Sequence, residues 1–398
     1  DSFRSSFGSP RVSGRGEHSV DRLSSLVLLN GVFDRSLVTA CTEGSLSPEE
    51  IVAEGPSLWQ KLGCSPRAVS FLTERIGKGW AQKETDSCTR QGITLIPWGS
   101  GEYPRALGRL PDPPLVLYKK GPAPCAEGVG IVGTRRCSPY GRRVARDLAA
   151  RLALHGRRVI SGGAAGIDTA AHEGCLEGAG KTLAVLGTGI DKIYPARNRE
   201  LFEIITEEGT LLSEFPLGFP ARNWTFPRRN RIIAALSSPL VVVEAPMKSG
   251  AIITARLALE AGRDVWSVPG RITETLCFGS NGLIADGAYP LVDVDEFLRV
   301  VTGTQQELAF DRPENDLESG PESGRSLSED EEKVYRLLRE TGGCTVDNIA
   351  ARAKMSATDV LRIIGILSVD GIVSNDGPGR WGVAAGGRMR LERERKKN

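Results

Sequence analysis

From Gly128 to Val294 short apolar runs alternate with longer amphipathic ones, and this alternation limits the fold more than any other property of the chain. Gly128–Gly133, Arg157–Ser161, Thr182–Leu186, Thr210–Ser213, Leu240–Glu244, Val265–Val268 and Leu291–Val294 read as strands. Between them lie helical patterns: Val144, Leu148, Leu152 and Leu154 on one stripe, a helix from about Ile167, Leu201 with Ile204 and Ile205, Arg229–Leu236, and Ile252–Ala261. Strands that are apolar throughout must be covered on both faces, and helices between them supply the cover. The pattern predicts an α/β fold built on a doubly wound parallel sheet.

The flanks read differently. Residues 1–17 are rich in Ser, Arg and Gly and read as a disordered leader. Over 18–90, Leu23, Leu26, Leu28, Leu29, Ile51, Leu58, Leu62, Val69, Phe71, Leu72 and Ile76 fall in short amphipathic pieces broken by Gly and Pro. They predict a small helical domain of the SAM or helix-hairpin-helix kind. A DNA-binding hairpin needs Gly-x-Gly, and Asn30-Gly31-Val32-Phe33 has one glycine, so a packing module is the reading taken. The sheet domain spans 91–301 and opens with the strand-like runs Gly92–Pro97 and Pro114–Tyr118. Residues 302–327 read as an acidic linker. In 328–385, Ser328 with Glu331 makes a capping box, Thr345 and Ser356 cap two further helices, and Gly371–Val383 reads as a hairpin, together a winged helix. Residues 386–398 form a basic tail.

Composition excludes several functions. With a net charge of +2, any basic face must be a local concentration. The eight cysteines include no Cys-x-x-Cys, so no zinc ribbon or thioredoxin motif is present, and they read as reduced thiols of a cytoplasmic protein. No apolar run reaches the roughly 18 residues of a membrane helix. No His and carboxylate cluster has metal-ligand spacing, and neither a metal nor a cofactor is expected.

The strand-end motifs carry the chemistry. Gly133-Thr134-Arg135-Arg136 places paired cations where a strand stops, and arginine forks match phosphate oxygens two at a time. As a string, Gly128-x-Gly-x-x-Gly133 matches the dinucleotide fingerprint. Its glycines fall inside the strand, however, and the second strand ends in Ser161 instead of an acid, so nicotinamide binding is set aside. Gly180-Lys181-Thr182 fails as a Walker loop because Cys175 stands where glycine is needed and Lys181 enters a strand. Ser161-Gly162-Gly-Ala-Ala-Gly166 leads into a helix and is either an anion site or a tight turn. Asp168 and His172, four apart, share a helix face, and the reading taken is a histidine held structurally by an acid. Phe226-Pro-Arg228-Arg229-Asn230-Arg231 puts three arginines at the start of a buried helix, with a ring for a base to stack on. Lys248-Ser249-Gly250 is a further loop of this kind. All these loops follow parallel strands and should line one carboxyl edge, a strip of cations suited to a polyphosphate backbone. No nucleophile or base in it has a convincing partner.

These residues resemble the DNA-processing protein A family (DprA, also called Smf). The likeness runs from about Gly92 to Ala288. It includes Tyr103-Pro104, Ile131–Arg135 with Ser138 and Tyr140-Gly141, Ser161-Gly162 with Gly166–Asp168 and His172, and Ala184–Gly187 with Tyr194-Pro195. It continues through Ser213-Glu214, Phe226-Pro with Arg229–Arg231, Glu244-Ala245 with Ser249-Gly250, Pro269-Gly270 and Gly279–Asn281. The resemblance implies an extended Rossmann-like domain and a homodimer through it. Single-stranded DNA would be held mainly by Arg135 and the Arg229–Arg231 block, and delivered to the RecA recombinase in natural transformation. It implies no enzymatic activity; the alternative is a Rossmann-type nucleotide-hydrolysing enzyme, for which Glu244 and Glu260 are the candidate acids. Thr134 stands where the family commonly has Ser, and Ala165 where it often has a basic residue, for which Arg197 could compensate. The third helix of the winged-helix segment carries Arg362 against Asp359 and Asp370, so that segment is expected to contact protein and not duplex DNA.

Overall fold

The computed structural model describes residues 21–44, 46–303, 327–341, 344–369, 372–377 and 380–383. The expected leader, tail and nearly all of the linker lie outside these residues. The chain divides into two compact units, Asp1–Leu308 and Ala309–Asn398.

The first unit is built on a sheet of β1 (Thr94–Pro97), β2 (Val116–Lys120), β3 (Gly128–Val132), β4 (Val159–Ser161), β5 (Thr182–Leu186), β6 (Thr210–Ser213), β7 (Ser237–Val242), β8 (Val265–Ser267) and β9 (Tyr289–Pro290). Their spatial order is β1-β2-β6-β5-β4-β3-β7-β8-β9. From β6 to β9 every pairing is parallel, while β1 and β2 add an antiparallel edge against β6. The chain starts the parallel part at β3, winds outward through β4, β5 and β6, then returns to β3's other side with β7. Strand order therefore reverses between β3 and β7, and a crevice opens beyond their carboxyl ends.

Side-chain alternation sorts the core. Val129, Ile131, Val241 and Val243 face helices Pro139–Leu154 and Ile167–Glu177. Val132, Leu240 and Val242 face helices Thr225–Leu236 and Gly250–Glu260. Two expectations shift. The arginine-bearing helix begins at Thr225, four residues before Arg229, because Pro227 is tolerated in a first turn where its missing N–H is not needed. The last strand is Tyr289–Pro290 and not 291–294; Asp293 caps a helix from Val294 to Thr302 through the amides of Asp295 and Glu296.

Six helices occupy Arg22–Arg90, and they share one buried core with the sheet flank: Leu26, Trp59 and Leu72 belong to the same cluster as Tyr118, Phe202 and Leu211. Asn30 ties the two together. Its Nδ2 donates to the carbonyl of Glu214 (2.9 Å), and its Oδ1 accepts from the amides of Leu115 (3.0 Å) and Val116 (3.3 Å).

In the second unit, helices Glu329–Thr341, Val346–Ala353 and Ala357–Val369 accompany β10 (Cys344–Thr345), β11 (Val373–Gly377) and β12 (Arg380–Val383), an antiparallel sheet in the order β10-β12-β11. The Ser328–Glu331 capping box forms in both directions, at 2.9 and 3.3 Å. Among the described residues no helix is long and apolar enough to cross a membrane.

Candidate nucleic-acid interface

The loops after β3, β4, β5, β6 and β7 meet at the carboxyl edge, and their arginines have three distinct fates. Arg135 and Arg136 stand exposed in the turn after β3. That turn is braced from within: the amide of Thr134 donates to the carbonyl of Glu244 (2.7 Å), and Thr134 Oγ1 accepts from the amide of Arg136 (3.3 Å). Gly133 packs beneath, against Ile167. The Arg135 guanidinium lies 5.0 Å from the centroid of the Phe226 ring, and Phe226 in turn contacts Tyr194 at 5.4 Å. Tyr194 is 46% exposed. One cation and two rings thus share an open surface.

Arg228 and Arg231 are committed internally. Arg228 binds both carboxylate oxygens of Glu214, at 3.1 and 2.8 Å, and reaches Asp112 at 2.9 Å. Arg231 reaches the same Glu214 at 2.5 Å and Asp112 at 3.8 Å. Glu214 is 1% exposed. Burial alone would depress Arg228, but Glu214 and Asp112 outweigh it and its pKa is raised. Two arginines facing two carboxylates leave little charge for a ligand.

Arg229 is fully enclosed. Its Nη1 donates to the carbonyls of Gly162 and Val185, and its Nε to Asn230 Oδ1 at 3.2 Å. Asn230 continues the chain of bonds to the carbonyl of Gly250 (3.4 Å). Burial pushes the Arg229 guanidinium down to about 10; Asp168 opposes that shift and Arg135 adds to it. The close approach requires Gly162, because a Cβ there would sit 2.3 Å from Arg229 Nη1.

At two helix starts the free amides are occupied by the chain's own carboxylates: in the Ser161–Gly166 run, read as either an anion site or a tight turn, and at Ser138, which the sequence did not single out as a cradle. After β4, Asp168 Oδ2 accepts from the amides of Gly162 (3.2 Å) and Ala164 (3.3 Å), while Ser161 Oγ turns back to the carbonyl of Ile131 (2.6 Å). At the start of helix Pro139–Leu154, Glu244 accepts from the Ser138 amide (2.9 Å) and hydroxyl (2.5 Å). A Cβ on Gly141 would lie 2.4 Å from that carboxylate. The Ser161–Gly166 run is therefore a tight turn closed by Asp168. His172 is not held by an acid: its Nδ1 meets Thr182 Oγ1 at 2.7 Å, and burial pushes its pKa down to about 3, so the ring is neutral. Burial raises Asp168, against the pull of Arg229.

Lys248 is exposed between β7 and helix Gly250–Glu260, whose N-cap is Ser249 through the amide of Ala251 (3.2 Å). Among the candidate acids, Glu244 is engaged with Ser138 and Glu260 is solvent-exposed at the far end of its helix. Sequence reasoning left out Tyr194 as a surface ring, and Glu214 and Asp112 as partners of the arginines. It also left out Trp224, 47% exposed and braced edge-on by Phe33, Phe215 and Phe219. A strand-ending acid near an arginine run was the available signal for Glu214.

Sheet order and edge define the class: a Rossmann-like α/β protein with a cationic and aromatic carboxyl rim. The family model of DNA recombination-mediator protein A matches residues 94–302. Protein Smf of Synechocystis is 39% identical over 303 residues, covering 69% of this chain and 76% of that protein. A putative DNA processing protein DprA of Mycobacterium tuberculosis is 39% identical over 294 residues, covering 73% of each. The X-ray structure of DNA processing protein A from Streptococcus pneumoniae superposes with a TM-score of 0.59 at 32% identity, over 70% of this chain and 95% of that one. The chain belongs to the DNA recombination-mediator protein A family.

Proposed function

We propose that this protein is a non-enzymatic mediator that binds single-stranded DNA, protects it and delivers it to the RecA recombinase during natural transformation, acting as a cytoplasmic homodimer. The observation that carries the reading is Arg135, exposed beside the Phe226 and Tyr194 rings. The cation can meet a phosphate and the rings can stack on unpaired bases, whose faces a single strand exposes and a duplex keeps stacked. The sealed cradles argue in the same direction. A mononucleotide phosphate seated in either of them would meet a buried carboxylate, which disfavours the nucleotide-hydrolysing alternative.

In this reading the Gly133-Thr134-Arg135-Arg136 turn and the Lys248-Ser249-Gly250 loop touch phosphates, Phe226 and Tyr194 stack bases, and Trp224 extends that surface. Ser161, Gly162, Arg228, Arg229, Asn230 and Arg231 hold it in shape. The second unit, read as a winged helix, contacts protein.

Titration of fluorescent single-stranded and duplex oligonucleotides at two salt concentrations tests the proposal. Preference for the single strand is expected, with a log–log salt slope of about −0.7 per phosphate contact. Indifference to single strands even in dilute buffer would refute it. Incubation with nucleoside monophosphates should release no free base, and a shortened lag in RecA filament formation is the expected readout for delivery.

A further inference from the structure

The opposite, amino edge of the same sheet holds a second concentration of positive charge that the rim does not explain. Residues just ahead of β3, β4 and β5 and at the starts of β3 and β7 line a half-open cavity of about 420 Å³. That lies within the roughly 300–1,000 Å³ typical of small-molecule sites. Arg157, Arg158 and Lys181 line it, with Gly128 and Ser238 on the walls and Val301 closing one side.

The charges are poorly matched from within. Glu127 is the one carboxylate in the lining, and Arg263 engages it at 2.8 Å. Arg157 donates to the Val301 carbonyl, a neutral acceptor. Arg158 Nε is buried and finds no hydrogen-bond acceptor among the described residues. Burial holds that guanidinium below the usual arginine range. The bland account is that helices Pro139–Leu154 and Ile167–Glu177 end at this edge and attract cations to their carbonyl ends. Dipole compensation is served by solvated side chains, however, and does not call for a hollow or for a desolvated, unpartnered Nε.

We propose that this cavity is a second anion site, which takes a phosphate-bearing ligand of up to nucleotide size. The two arginines supply forked donors and Lys181 a point charge. The ligand is either a small free phosphate compound or a phosphate of a polynucleotide passing this edge.

Isothermal titration of the full chain carrying Arg135→Glu separates this site from the rim. Sodium pyrophosphate at constant ionic strength is one arm, and a 5′-phosphorylated oligothymidylate is the other. Saturable binding in the pyrophosphate arm assigns the site to small phosphate compounds. Binding confined to the oligonucleotide arm and weakened by Lys181→Gln assigns it to a polynucleotide. In either case Lys181→Gln should weaken binding roughly tenfold, the loss of about one charge-assisted hydrogen bond. Arg158→Gln should weaken it further, and because Lys181 is exposed, its variant keeps the test valid if Arg158→Gln fails to fold. No saturable heat in either arm, or binding that Lys181→Gln leaves unchanged, would overturn the proposal.

Discussion

Two arginine runs on the same sheet edge look alike as sequence and behave oppositely in the fold. Arg135 and Arg136 follow β3 on a turn braced by the Thr134–Glu244 main-chain bond and by the Thr134 hydroxyl, and their side chains face solvent. Arg228, Arg229 and Arg231 sit one helix turn apart or less, and each is bound inside the molecule, two of them by Glu214 and the third by main-chain carbonyls. The difference teaches that density of positive charge does not locate a binding surface. What a ligand could meet is the charge left after internal partners, carboxylates and main-chain carbonyls alike, have been counted.

The comparison breaks most visibly at Arg229. Arg229→Ala removes the guanidinium donor from the carbonyls of Gly162 and Val185 and leaves Asp168 without a neighbouring cation, so a stability loss of about 3–5 kcal/mol is expected in urea unfolding. DNA binding should fail with the fold and not before it. Arg135→Glu should do the reverse: the unfolding midpoint holds, while single-strand affinity falls by roughly 10–100-fold and the salt slope shrinks by about 0.7 or more. A matched loss of stability in Arg135→Glu would erase the distinction between the two runs.

Glu214→Gln sharpens it further. Removing the shared carboxylate weakens the fold but releases charge from Arg228 and Arg231, so single-strand affinity should rise a few-fold, measured at low salt. An unchanged or reduced affinity would mean these arginines do not reach the strand even when freed.

A pH series checks the interior beneath the rim. The folded His172 titrates near 3 and the unfolded side chain near 6.5, so in that window the unfolded chain binds a proton that the folded chain does not. Stability must therefore fall as pH drops below 6.5, by about 2 kcal/mol at pH 5 from this group. His172→Gln should flatten the difference between pH 7 and pH 5 in urea midpoints. The smallest effect is expected at Arg362, where charge reversal should leave duplex affinity of the full chain unchanged.

How much of this was legible beforehand follows from range. Strands buried on both faces and helices between them write their period into consecutive residues, so the parallel sheet could be read directly. The Ser328–Glu331 box was equally local. Glu214 lies 14 and 17 residues from the arginines it binds, and Asp112 more than a hundred, so no window of sequence shows their pairing. His172 was paired with the acid four residues away because helix spacing suggests it, whereas the fold offers Thr182 from the neighbouring strand. The short β9 misled for another reason: Leu291 is buried just after the strand and its amide still donates to the Ser267 carbonyl (2.9 Å), but the chain then turns to the Asp293 cap, so the expected run met the ladder only at its first residue.

Asn30 has a consequence for anyone trimming the molecule. Its amide group finishes the hydrogen bonding of three main-chain groups near the strand ends, at Leu115, Val116 and Glu214. A version shortened to the family-matched portion would keep every residue of the rim. It would also expose two amides, one carbonyl and a bare aliphatic flank, and the acid restraining Arg228 and Arg231 would lose an anchor. Such a fragment is a different object from the whole chain, and its affinities would describe a loosened edge.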